Sequence, residues 1–271
     1  MIWPNTDIFI HKKVGYVMWN QRRTDSFRSI RTDIVTIQGY QADDVHAYTA
    51  RPTEPGSYPG LVLVHHLPGW DEFYRETARR FADHGYIVIC PDLYERFGHS
   101  TPENVTAKVR SEGGVKDESV VHDCRAAFSY LKEISDCNGK VGIIGTCSGG
   151  RHSYLVACLV EGFNAVVDLW GGGVVAPNDR LTDAQPVAPV EYTKDLSCPV
   201  LGIFGNEDQS PSPIEVGQLE EQLKLYDKKY EFHRYDGASH GFWYYDRPMY
   251  RQEQAIDSWN KTFVFLDRHL A

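Results

Sequence analysis

Residues 145–150, GTCSGG, place a thiol among small residues. The preceding stretch KVGIIG (140–145) reads as a buried strand and residues 148–160 as an apolar helix, so Cys147 falls on the turn between them. A nucleophile on such a turn needs small neighbours, because the tight backbone presses the flanking positions against strand and helix; Gly145 and Gly149 meet that need. The helix N-terminus brings partial positive charge, which favours thiolate over thiol, and backbone amides able to hold an oxyanion. On the hexapeptide alone, a buried structural cysteine is a competing reading. Ser148 is a weaker nucleophile candidate, since it sits one position off the apex, where its N–H is the useful group.

A thiol nucleophile works with a base in hydrogen-bond reach and a carboxylate that orients the base, in the chain order nucleophile, acid, histidine. Asp208 follows the strand-like PVLGIFG (199–205) in the loop GNEDQSPSP (205–213), and the spacing from Gly205 to Pro211 favours it over the adjacent Glu207. His240 lies in YDGASHGFW (235–243), just after the strand-like YEFHRY (230–235) and next to Gly241. All three residues are thereby expected at the C-terminal edge of one sheet, where open α/β folds bind ligands.

The elements that would carry them alternate along the chain. LVLVHH (61–66) has the continuous apolar character of a central strand, residues 71–84 repeat apolar groups at helical spacing, and Gly85 stops that helix before YIVIC. Further helices are expected around 116–134, 148–160, 213–226 and 251–269, with strands at 140–145, 165–170, 199–205 and 230–235. This is a doubly wound, mostly parallel α/β sheet. Ahead of it, IVTIQ (34–38) and DVHAYTAR (44–51) read as an antiparallel hairpin at one sheet edge. Two regions follow: an arm over residues 1–30, rich in aromatics (Trp3, Phe9, Tyr16, Trp19) with Arg22 and Arg23, and an α/β domain over 31–271. The arm either packs on the domain or contacts a second copy in a homodimer.

Composition narrows the function classes. Of 271 residues, 42% are hydrophobic and 24% charged, enough for a large core and a solvated surface. The formal net charge of −9 argues against nucleic acid and anionic membranes as partners. No run approaches the roughly 18 apolar residues that span a bilayer, and a cytoplasmic protein is expected. The six cysteines (Cys90, Cys124, Cys137, Cys147, Cys158, Cys198) form no CxxC pair and are expected to be mostly reduced and structural. The spread also leaves no evident neighbour to resolve an oxidised Cys147, which weakens a thiol redox sensor as the rival function; a non-catalytic ligand-binding protein is another. A metal site at His65, His66 and Asp71 is disfavoured because adjacent strand residues point to opposite faces.

LVLVHHLPGW (61–70), RETARRFADHGYIVICPDLYER (75–96), GKVGIIGTCSGG (139–150), FGNEDQSPSP (204–213) and GASHGF (237–242) together resemble the dienelactone hydrolase (carboxymethylenebutenolidase) family over roughly residues 58–270. The resemblance implies an α/β-hydrolase fold, a Cys147-Asp208-His240 triad, an oxyanion hole from the amides of Leu67 and Ser148, no metal or organic cofactor, and a small ester or lactone as substrate, with aromatic-compound degradation as a setting. A carboxylesterase or thioesterase of the same fold is the close alternative. Two positions depart from the family pattern. Where the family has a glutamate after the first core strand this chain has His66, a candidate to hydrogen-bond the thiol or, when protonated, to favour the thiolate. Where the family's substrate-carboxylate arginine would follow His240 by four residues, this chain has Tyr244; Arg247, Arg151 and Arg110 are the nearby or alternative cations. Trp70, Trp243, Tyr244 and Tyr245 suggest an aromatic-lined pocket, with plain core packing at strand ends as the competing reading.

Overall fold

The computed structural model describes residues 29–271. The expectations for the N-terminal arm therefore lie almost wholly outside the described residues. Eight strands form one sheet: β1 (Ile30–Gln38), β2 (Asp44–Pro52), β3 (Tyr58–Val64), β4 (Ile87–Pro91), β5 (Cys137–Thr146), β6 (Ala165–Leu169), β7 (Val200–Gly205) and β8 (Tyr230–Tyr235). Their spatial order is β1-β2-β4-β3-β5-β6-β7-β8. The run from β4 to β8 is parallel, while β2 pairs antiparallel with both β1 and β4, so the expected hairpin does occupy one edge.

Strand alternation divides the core into two halves. Val62 and Val64 of β3 face helices α3 (Asp117–Glu133), α4 (Ser148–Leu159) and α5 (Pro213–Leu225), while Leu61 and Leu63 face α1 (Glu72–Asp83) and α6 (Gln252–Leu270). With both faces covered, β4, β6 and β7 are buried along their whole length, which is why they read as apolar runs. A further helix, α2 (Pro102–Ser111), stands in a segment the apolar periodicity leaves unassigned. Its start signals are nonetheless written locally: Thr101 accepts from the Asn104 N–H, and Pro102 occupies the first turn.

After β3 the chain crosses to β4 on one side and then returns to β5 on the other. The crevice between the C-terminal ends of β3 and β5 is thus a topological switch point, the place where such sheets take ligands. Cys147 follows β5, and Leu67 follows β3 by three residues. Among the described residues, no helix is long and apolar enough to cross a membrane.

Candidate active site

Cys147 follows β5 and caps α4 with φ 56° and ψ −125°, a backbone conformation that L residues rarely adopt. The fold holds it there by close approach. A Cβ on Gly149 would lie 2.2 Å from the Val64 carbonyl oxygen, and one on Gly145 would lie 2.2 Å from the Gly149 carbonyl oxygen. Only glycine lets α4 sit this near the end of β3. Ser148 is the first residue of α4, so its N–H has no intrahelical partner and is available to an incoming oxygen.

His240 lies beyond β8, and its Nδ1 donates to Asp208 Oδ2 at 2.8 Å. Asp208 is buried beyond β7, and its other oxygen accepts the Ser210 N–H at 2.8 Å, which fixes the carboxylate plane. Glu207 is exposed; its neighbour Asp208 is the residue that meets the imidazole. Burial works against charging His240, but the hydrogen bond to Asp208 and the hydrogen bond and charge of Cys147 outweigh it and raise the imidazole to about 10. Cys147, His240, His66, Leu67 and Tyr244 open on one cavity of about 720 Å³. Trp170, at φ 43°, packs edge-on against both His240 (6.5 Å) and Tyr244 (6.1 Å) beside them.

The other expected site residues divide. Tyr244, Tyr245 and Arg247 line the cavity, as does Arg110 from α2 on the opposite wall. Three do not. Arg151 is buried in a two-pronged ion pair with Asp117 (Nη2–Oδ2 2.9 Å) and lines a separate depression with Gly172 and Ser210. Trp243 is a core residue, stacked on Trp259 at 4.0 Å with its Nε1 donating to Ser258 at 2.6 Å. Trp70 packs edge-on against Tyr48 under Arg75 and borders a neighbouring surface depression instead.

His66 differs from its expected role as a partner of the thiol. Both ring nitrogens are occupied elsewhere, Nδ1 by the Tyr244 hydroxyl at 2.8 Å and Nε2 by Asp71 Oδ2 at 3.0 Å. Tyr244 also meets Thr146 Oγ1 at 2.8 Å, and Thr146 meets the Tyr74 hydroxyl. Sequence reading missed Tyr74, Thr146 and Tyr94 as neighbours of the site, and weighed Asp71 beside His66 only as a metal ligand. The Tyr94 phenol, held up by burial and offset by the Ser148 hydroxyl, stands close enough to Cys147 to feel its charge. An available signal was the Asp71 helix cap, which fixes an acid five residues after His66.

A model described as the dienelactone hydrolase family matches residues 45–270. The chain belongs to the dienelactone hydrolase family. It is 32% identical over 220 residues to a "Putative carboxymethylenebutenolidase" of Methylorubrum extorquens, covering 80% of this chain and 74% of that protein. It is 30% identical to the protein of the same description from Synechocystis sp., covering 86% of this chain and 95% of that one. A crystal structure described as a "Putative Dienelactone Hydrolase" from Klebsiella pneumoniae superposes with a TM-score of 0.80 at 28% identity, covering 89% of this chain and 99% of that one. Membership makes this family protein a hydrolase of ester or lactone bonds with a small-molecule substrate, on the α/β-hydrolase fold.

Proposed function

We propose that the protein hydrolyses a small ester or lactone through Cys147, with His240 as the base and Asp208 as the carboxylate that orients it. The observation that carries this reading is the 2.8 Å hydrogen bond from His240 to Asp208, with His240 opening on the same cavity as the elbow thiol. In the first step the sulfur attacks the carbonyl carbon, the amides of Leu67 and Ser148 receive the oxyanion, and the C–O bond breaks as His240 protonates the departing oxygen. Water then adds to the thioester with His240 taking its proton, and the acid and the free thiol are released.

The cavity, about 720 Å³, takes a small substrate, and its wall mixes Arg110 and Arg247 with Asp71, Glu72, Glu103 and Asp246. Buried Cys90 and Cys124, their thiols pushed up by burial, suit a reducing compartment, and the cytoplasm is the proposed location. The test is Cys147→Ala assayed on a panel of p-nitrophenyl esters and lactones. Loss of at least about 10³-fold in kcat/KM is expected, since the covalent route is removed. Hydrolysis within ten-fold of the wild type would refute the assignment.

A further inference from the structure

A second imidazole–carboxylate pair, His66 with Asp71, lines the same cavity as His240, and its hydrogens can be assigned one by one. Burial opposes charge on Asp71, but its hydrogen bonds from His66 and from the Tyr74 N–H hold its carboxyl below the usual range. A carboxylate only accepts, so His66 Nε2 carries a hydrogen and donates to Asp71. In the neutral ring Nδ1 must then accept, and the Tyr244 hydroxyl is its donor at 2.8 Å. With that hydrogen spent, the 2.8 Å contact between Tyr244 and Thr146 requires Thr146 to donate, and the next contact requires Tyr74 to donate to Thr146. The order is unique: Tyr74 to Thr146 to Tyr244 to His66 to Asp71, every O–H turned toward the carboxylate. Tyr74, Thr146, Tyr244 and His66 are buried, His66 and Tyr244 at 8% exposure and Tyr74 at 0%, and Asp71 at the end of the chain is partly exposed, its side chain at 28%. Tyr244 lines the same cavity as Cys147 and bonds Thr146, the residue just before it; burial first, and then the Cys147 charge, hold the phenol up.

We infer that Asp71, acting through His66, is a positioning residue that fixes the direction of the Tyr244 hydroxyl, so that Tyr244 turns its oxygen rather than its hydrogen toward the Cys147 side. The inference rests on the reading of Cys147 as the reactive thiol. It makes Tyr244 and Asp71 determinants of how readily that thiol ionises. Asp71→Asn reverses the His66–Tyr244 link alone, while Tyr74 goes on donating to Thr146 and Thr146 to Tyr244. Asp71 Oδ1 caps α1 by accepting the Tyr74 N–H, and the single amide oxygen of asparagine keeps that cap, leaving the NH₂ to face His66 Nε2. Nε2 must now accept, the ring hydrogen moves to Nδ1 and donates to Tyr244, and the Tyr244 O–H is freed toward the sulfur. The titratable groups facing His66 are Asp71 with Tyr74, Tyr244, its neighbour His65, and Cys147 across the cavity.

The experiment measures the rate of Cys147 alkylation by iodoacetamide against pH, with the labelled peptide identified by mass spectrometry, for wild type, Asp71→Asn, Tyr244→Phe and the double variant. In Asp71→Asn the midpoint is expected to fall by about one pH unit, roughly a ten-fold faster reaction below it, as a donor is supplied to the thiolate. Removing the Asp71 charge also moves the midpoint, and that part alone survives in the Tyr244→Phe background, where the shift should be less than a third as large. Asp71→Ser, which also caps a helix, is the second variant and is expected to shift the same way. Equal shifts with and without the Tyr244 hydroxyl, or no shift in either Asp71 variant, would overturn the inference. If instead Cys147→Ala still hydrolyses esters while this cycle behaves as expected, the nucleophile reading fails and the chain stands.

Discussion

Replacing Asp208 with asparagine changes one atom and sets the tautomer of the proposed base. Asp208 Oδ1 accepts the Ser210 N–H and Oδ2 accepts from His240 Nδ1, both at 2.8 Å. Asparagine has one oxygen, and the Ser210 amide, a pure donor in a tight turn, claims it. The NH₂ then faces Nδ1, which must accept, so the neutral ring keeps its hydrogen on Nε2 and the imidazolium that forms on taking the Cys147 proton loses the carboxylate that stabilises it. Wrong-tautomer variants of serine triads lose on the order of 10⁴ in kcat, and general-base contributions span about 10²–10⁴. A thiol gives up its proton more readily than a hydroxyl, so the loss expected for this thiol is about 10³, or about 4 kcal/mol of transition-state stabilisation.

The same variant carries a pH signature in stability. His240 is raised from 6.5 to about 10 in the folded protein, so its contribution is fully present below about 6.5 and disappears as pH rises through about 10. Asp208→Asn should therefore be destabilised most between pH 5 and 6.5, and its unfolding midpoint should converge on the wild-type value near pH 10. The His240 side chain is 36% exposed, so solvent screening keeps this difference modest beside the kinetic one. Single-turnover ester hydrolysis and urea unfolding across this pH range measure both. Activity within ten-fold of wild type, or a stability gap that widens with pH, would refute the role given to Asp208.

Gly149→Ala places a Cβ 2.2 Å from the Val64 carbonyl oxygen and 2.7 Å from that of His65, both backbone atoms that no rotamer change can clear. The variant should lose about 3 kcal/mol by thermal unfolding, with ester hydrolysis falling as the elbow shifts from Leu67. Arg151→Met leaves the mostly covered Asp117 carboxylate, 14% exposed, without its partner. A loss of about 3 kcal/mol is expected, at the low end for broken buried pairs because Asp117 sits in the first turn of α3. Since Arg151 faces away from the thiol cavity, kcat/KM per folded molecule should stay within two-fold of wild type, which a steady-state assay at low temperature checks.

The parts of the fold written in local patterns were legible. Continuous apolar strands, helices at 3.6 spacing and the small-residue turn around Cys147 each sit within a few residues of one another, and the structure differs there only at the ends: β3 stops at Val64 rather than 66, and β5 begins at Cys137 rather than 140. Helix α2 escaped because only Val109 is buried in it, so it lacks the apolar stripe that betrays other helices. The two tryptophans and Arg151 were misplaced for a different reason. Sequence puts each near a site-bearing loop but does not say which way the side chain turns. Trp243 immediately precedes Tyr244, yet it turns into the core to meet Trp259 while Tyr244 lines the cavity.

Long-range pairing was the other thing sequence could not supply, and it alters how the two departures from the family pattern are understood. His66 and Tyr244 lie 178 positions apart and look like unrelated substitutions, one bearing on the thiol and the other on substrate charge. In the structure they touch at 2.8 Å. A glutamate and an arginine facing each other at the same two positions would be an ion pair; histidine and tyrosine replace it with a neutral hydrogen bond, and Asp71 at 3.0 Å supplies the anion from one residue further out. A charge moved back by one imidazole acts on the sulfur through a longer path, and that path has a direction that can be reversed. The two positions therefore constitute one change, and altering either without the other breaks a buried contact: Tyr244→Arg would set a guanidinium against an imidazole whose far nitrogen is already held by Asp71, whereas His66→Glu with Tyr244→Arg restores a matched pair.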